Sequence, residues 1–145
     1  MLPIQWRESY SVGVPALDTQ HRRLLEIINE LANVVATGGQ SDIFFAALEA
    51  LVRYAESHFA DEERMLREAG YPALADQQQE HDRFVRQLVQ TSEKLHLKKT
   101  KLPEETVDFL KTWYIEHILG KDQEYKPFLA SHGTHSEIPK QNGIT

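Results

Sequence analysis

Apolar residues recur along this chain at steps of three and four, the period of a helix that buries one face, and nowhere alternate as in a strand. Leu24, Leu25, Ile28, Leu31 and Val35 form the first such stripe, predicting a helix from about Ala16 or Asp18 to Thr37, closed by Gly38-Gly39. Ser41 is positioned to cap a second helix running to about Ala69, with Phe44, Ala47, Leu51, Tyr54 and Ala55 inward. Gly70-Tyr71-Pro72 then reverses the chain: a glycine suited to ending a helix left-handed, followed by a proline that cannot continue one. A third helix is expected from Pro72 or Ala73 to about Leu97, with Leu74, Phe84, Leu88 and Leu95 inward, before the polar, basic loop Lys98-Lys99-Thr100-Lys101. Pro103-Glu104-Glu105 has proline and carboxylates where a helix begins. This fourth helix carries Val107, Leu110, Trp113 and Tyr114 and is expected to continue past Asp122 towards Phe128. Residues 1–14 have no period and read as an ordered arm pinned by Trp6 and Tyr10. Helices this long with short connections predict an all-α fold, an up-down-up-down antiparallel four-helix bundle with an N-terminal arm. The bundle and arm should occupy residues 1–130, and residues 131–145 should form a polar, frayed tail.

The stripes are not wholly apolar. His21 lies on the first, His58 and Glu62 on the second, Gln77 and His81 on the third, and His117 on the fourth. His58 and Glu62, like Gln77 and His81, stand four residues apart and so share a helix face. In antiparallel neighbours all of these groups converge on one interior, where unpaired polar groups are costly. A single buried histidine is ordinarily a hydrogen-bonded core residue; four with a carboxylate point instead to metal ligation. With no cysteine in the chain, thiolate chemistry, disulfides and Cys-type zinc sites are excluded, leaving imidazole, carboxylate and amide donors suited to iron, manganese or zinc. These donors outnumber the needs of one tetrahedral ion, so two metals bridged by carboxylates are expected. Asp122 is harder to place. Five residues beyond His117, it should point about 140° away in a regular α-helix, and only a π-bulge near Gly120 would bring the two together. His96, His132 and His135 lie in polar surroundings and read as solvated.

Charge and length change the picture little. The 145 residues fit one domain, and the net charge of −6 argues against a nucleic-acid partner. No apolar run approaches a membrane span, and the N-terminus has no signal-peptide pattern, so a cytoplasmic protein without membrane insertion is expected.

Taken in combination, an early lone His21, His58-Phe-Ala-Asp-Glu62, His81 after Gly-Tyr-Pro, and Trp113-Tyr-Ile-Glu-His117-Ile-Leu-Gly-Lys-Asp122 resemble the bacterial hemerythrins, from Trp6 to about Leu129. The resemblance implies a non-haem di-iron centre that binds dioxygen reversibly. By family position, His21 and His58 hold the iron with an open site, while position 77, His81 and His117 hold the other. Glu62 and Asp122 bridge the two irons, with an oxo or hydroxo group as third bridge, and Leu24, Phe59, Trp113, Tyr114 and Ile118 line the oxygen pocket. Two positions depart from the family pattern. Gln77 stands where a histidine is expected, leaving a weak amide ligand, a water or an open position. Tyr114 stands where an apolar residue is usual; its phenol would hydrogen-bond a bound ligand, narrow the pocket or ligate iron, or else be satisfied elsewhere as an ordinary bundle tyrosine.

The resemblance implies oxygen storage, delivery or sensing by a monomer whose ligand is dioxygen, with peroxide and other small diatomic molecules as further candidates. Two alternatives stand beside it. A di-iron peroxidase or oxidase would follow if Gln77 opens an iron site, and a metal-poor structural or signalling bundle if the lost histidine has emptied it.

Overall fold

The computed structural model describes residues 3–96 and 103–132. Its elements are a short 3-10 turn at Glu8–Tyr10, then α1 (Pro15–Ala36), α2 (Ser41–Ala69), α3 (Leu74–His96) and α4 (Pro103–Trp113). Without a break α4 passes into a π-helical turn, Tyr114–Ile118, followed by a 3-10 turn, Lys121–Tyr125, and α5 (Lys126–His132). No strand occurs among the described residues, and α1–α4 make the expected four-helix bundle. α1 packs on α2 and α4, and α2 on α3; Phe84 closes the ring by stacking between Phe109 and Trp113.

Local chemistry explains where the arms begin and end. Pro15 opens α1, where its missing N–H costs nothing. α2 ends on Gly70 at φ 75°, with Tyr71 N–H donating to the Leu66 carbonyl and Gly70 N–H to that of Arg67, the glycine-terminated reversal foreseen from the sequence. Ser41 is not the cap of α2. Gln40 occupies that position without a side-chain bond, and Ser41 is the first helical residue. The arm before α1 is tied down by Asn29, which accepts from Ile4 N–H (3.2 Å) and donates to Ile4 O (2.9 Å). Trp6 and Tyr10 meet edge to face, and the Arg22 guanidinium covers Trp6. The fourth arm departs from the single helix expected through Asp122, since the π and 3-10 turns interrupt it. α5 carries helix through Ser131 and His132, and His132 is exposed. The loop at 97–102, the side chains of Leu95 and His96, and the segment 133–145 with His135 lie outside the described residues.

Two apolar clusters fill the bundle. The larger contains Leu24, Ile28, Leu31, Phe44, Leu48, Leu51, Phe59, Phe84, Leu88, Leu110, Tyr114 and Ile118. The smaller contains Val12, Leu17, Leu66, Tyr125 and Leu129. Along α1 and α2 the polar stripe positions fall between the two: His21 between Leu17 and Leu24, and Glu62 between Phe59 and Leu66. A polar layer therefore sits across the bundle between two dry ones.

Candidate metal centre

The polar layer contains His21, His58, Glu62, Gln77, His81, His117 and Asp122, each at most 2 % exposed. All seven residues singled out as ligands from the sequence thus come to one interior. Gln78 and Gln79, on other faces of α3, are less buried. His117 and Asp122 meet because the π turn, closed by Leu119 N–H donating to Tyr114 O, takes up the extra residue between them. His117 Nε2 then lies 3.2 Å from Asp122 Oδ1. Gly120 makes the turn sterically feasible: a Cβ there would fall 2.6 Å from the Glu116 carbonyl oxygen.

Each carboxylate straddles the layer. Glu62 presents Oε1 to His81 Nε2 at 3.1 Å and Oε2 to His21 and His58 Nε2 at 3.4 and 3.7 Å. Asp122 presents Oδ1 to His117 and Oδ2 to His21 Nε2 at 3.4 Å. Two donor groups result, His21–His58–Glu62–Asp122 and Glu62–His81–His117–Asp122, sharing both carboxylates.

The outer nitrogens show which way the imidazoles offer their lone pairs. Gln20 donates its amide to Asp61 (2.9 Å), so its oxygen must accept from His58 Nδ1–H (2.6 Å), which leaves His58 Nε2 bare. His81 Nδ1–H donates to Glu63 (2.7 Å) and His117 Nδ1–H to Glu80 (2.8 Å). Their Nε2 atoms face one another at 3.2 Å, a contact that needs a proton or a cation between them. His21 Nδ1 and Nε2, His58 Nε2, Glu62 Oε1, Gln77 Oε1 and Asp122 Oδ2 are buried without any hydrogen-bond partner. So many orphaned polar atoms in one dry layer fit a cation better than a sealed polar core.

Electrostatics agrees. Burial opposes charge on His21, but Asp122 and Glu62 beside it raise its pKa to about 9. His117 behaves alike, to about 9, through Asp122, Glu62 and Glu80. Burial drives His58 the other way, to about 3. Burial also opposes ionisation of Glu62, yet the surrounding imidazoles of His58, His21 and His81 hold it well below the usual carboxylate range. Without a metal, two buried carboxylates are thus balanced by two protonated imidazoles, positions a divalent cation could take over.

Residues 12–129 match the family described as "Hemerythrin HHE cation binding domain". The chain belongs to the hemerythrin family. It is 33% identical to the bacteriohemerythrin of Clostridium acetobutylicum over 83% of this chain and 96% of the relative. To the myohemerythrin of Theromyzon tessulatum it is likewise 33% identical, over 86% and 92% of the two chains. Crystal structures of wild-type hemerythrin and of a leucine-to-tyrosine mutant superpose with TM-scores of 0.81, at 28% and 30% identity. The overlap covers 89% and 90% of this chain and 99% of each of those chains.

Within this hemerythrin-family bundle, the residues expected to line an oxygen pocket flank the polar layer. Leu24, Phe59, Tyr114 and Ile118 are buried in the larger apolar cluster. Phe59 stacks on His81 (centroids 3.8 Å, planes 5° apart), and half-buried Trp113 stacks on His117. The Tyr114 hydroxyl is satisfied elsewhere: it donates to the His21 backbone carbonyl at 2.9 Å, and burial pushes its phenol upward in pKa. Gln77 donates its amide to Asp122 Oδ1 at 3.1 Å. Gln20, Glu63, Glu80 and Tyr125 escaped sequence reasoning. The first three adjoin a ligand position in the chain, which is the signal that could have found them. Tyr125, whose hydroxyl donates to Glu62 Oε2 at 2.7 Å, adjoins no ligand position, standing three residues from Asp122 and eight from His117, and gives no comparable signal.

Proposed function

We propose that this chain, with residues 1–130 as its folded unit, is a non-haem di-iron protein that binds dioxygen reversibly for storage, delivery or sensing. The observation that carries the reading is the pair of carboxylates, each offering one oxygen to each of two imidazole pairs. His21 and His58 would hold one iron, His81 and His117 with the Gln77 amide the other, and Glu62 and Asp122 would bridge them. When bound and reduced, the iron pair supplies the two electrons that dioxygen takes up and returns. The chain's own residues do the rest. Tyr125 fixes the Glu62 carboxylate through its hydroxyl, Gln20 fixes the tautomer of His58, and Phe59 and Trp113 cover two imidazole faces. The apolar layers above and below keep water from the centre.

The test is to reduce the iron-loaded protein under argon, admit oxygen, and purge it again. An oxygenated absorption spectrum that appears and vanishes over repeated cycles supports the carrier; rapid bleaching with turnover of peroxide would replace it with a di-iron peroxidase or oxidase. Gln77 is the specific feature favouring that second reading, since an amide stands in the layer where the other donors are imidazoles and carboxylates. Accordingly Gln77→His should raise iron occupancy and lengthen the lifetime of the oxygenated form. Unchanged iron content and lifetime would take Gln77 out of the ligand set.

A further inference from the structure

The two donor groups contain the same kinds of side chain, two imidazoles and the same two carboxylates, yet they are fastened differently. A sequence neighbour of each ligand on one arm clasps the imidazole on the next: Gln20 of α1 holds His58 of α2, Glu63 of α2 holds His81 of α3, and Glu80 of α3 holds His117 of the fourth arm. The ring of clasps then stops. The residue that would continue it, Glu116 beside His117, is exposed, and His21 Nδ1 has no partner. His81 and His117 are therefore both backed by carboxylates, which orient the rings and strengthen them as donors. His58 is backed only by a neutral amide, whose own amide group is already spent on Asp61. His21 has no backing at Nδ1; the Tyr114 hydroxyl holds its backbone carbonyl instead.

We propose that the two cation positions fill in order, the His81–His117 half first and tightly, the His21–His58 half second and exchangeably, with Glu63 and Glu80 as the positioning residues that set the order. The inference rests on reading the layer as a two-cation site, and it concerns loading rather than oxygen. Preorganisation carries the argument: both halves share Glu62 and Asp122, and apart from the Tyr125 hydroxyl on Glu62 Oε2 on the His21–His58 side, they differ in the imidazole backing and in the Gln77 amide. Both of those features favour the same half.

Manganese(II) titration of the metal-free protein, followed by electron paramagnetic resonance, tests this on the wild-type chain. One equivalent should give the signal of an isolated ion, and the second should convert it to that of a coupled pair. A coupled signal already dominant at half loading would overturn the order. Variants assign the halves. Glu63→Gln and Glu80→Gln keep a hydrogen-bond acceptor but remove the charge, so the tight half comes to resemble the other. Each should weaken the first step roughly ten- to a hundredfold and leave the second little changed. Glu63→Asp should recover part of the loss, a pattern that a general structural defect would not produce. His58→Ala should retain one tight ion and His81→Ala should lose it; the reverse, or an unchanged first step in Glu63→Gln and Glu80→Gln, would contradict the assignment. Two ordered steps without oxygen binding would leave this inference standing while removing the proposed function, whereas no cation binding at all would remove both.

Discussion

α2 and the fourth arm deliver the same pair of groups, an imidazole and a bridging carboxylate, by different means. In α2, His58 and Glu62 lie one turn apart on an unbroken helix, so regular geometry alone aims both inward. In the fourth arm, His117 and Asp122 are five apart, and a π turn, a 3-10 turn and Gly120 are all needed to aim them together. The environments differ too. His58 faces an amide and is driven neutral, whereas His117 faces Asp122 and Glu80 and is held protonated. A ligand pair on a regular helix is thus robust to most local changes, while one on an irregular segment depends on particular small or hydrogen-bonding residues.

The sharpest way to break the comparison is Gly120→Ala. Its new methyl must displace the Glu116 carbonyl, a rigid backbone atom, so a destabilisation of about 2–3 kcal/mol is expected, together with loss of cation binding as Asp122 leaves the layer. Ala60→Gly, at an exposed site between His58 and Glu62 in α2, should cost about 1 kcal/mol and leave cation binding intact. Urea midpoints and metal titrations compare the two; equal effects on binding would erase the distinction between the arms.

Next in size is the pH dependence of the chelator-stripped protein. His21 and His117 have folded pKa values raised to about 9, so their stabilisation is full below pH 6.5 and lost as pH climbs from 6.5 through 9, on the order of 3 kcal/mol per imidazole. His58, lowered to about 3, acts in the opposite sense: the unfolded chain takes its proton first as pH falls below 6.5, so stability declines there as well. The metal-free protein should be most stable near pH 6.5. Imidazole NMR at pH 7 should find His117 protonated and His58 neutral, and common titration of both near 6.5 would contradict the contrast. The smallest effect expected is that of Tyr114→Phe. Removing the hydroxyl that ties the first residue of the π turn to α1 should cost about 1 kcal/mol while cation stoichiometry stays the same. A loss of binding would give the phenol a role at the centre itself.

These contrasts track what could be read from the chain. Helical period found the inward faces of α1, α2 and α3, and so brought His21, His58, Glu62, Gln77 and His81 to one place, because a regular helix makes spacing equivalent to direction. Asp122 was legible only through resemblance, since the π turn breaks that equivalence. Glu63 and Glu80 lie about 100° off the buried stripe beside their neighbours, and on a lone helix they look solvated. Only the approach of the next arm turns them onto an imidazole. The Ser41 expectation failed for a related reason. Capping needs a backbone conformation one residue outside the helix, and the helix starts at Ser41 itself.

The central claim is that the buried polar layer holds a pair of irons, and iron analysis with Mössbauer spectroscopy of protein loaded anaerobically and then oxidised tests it most directly. Two irons per chain in a magnetically coupled pair is the predicted result. Well under one iron per chain, or uncoupled iron, would contradict it.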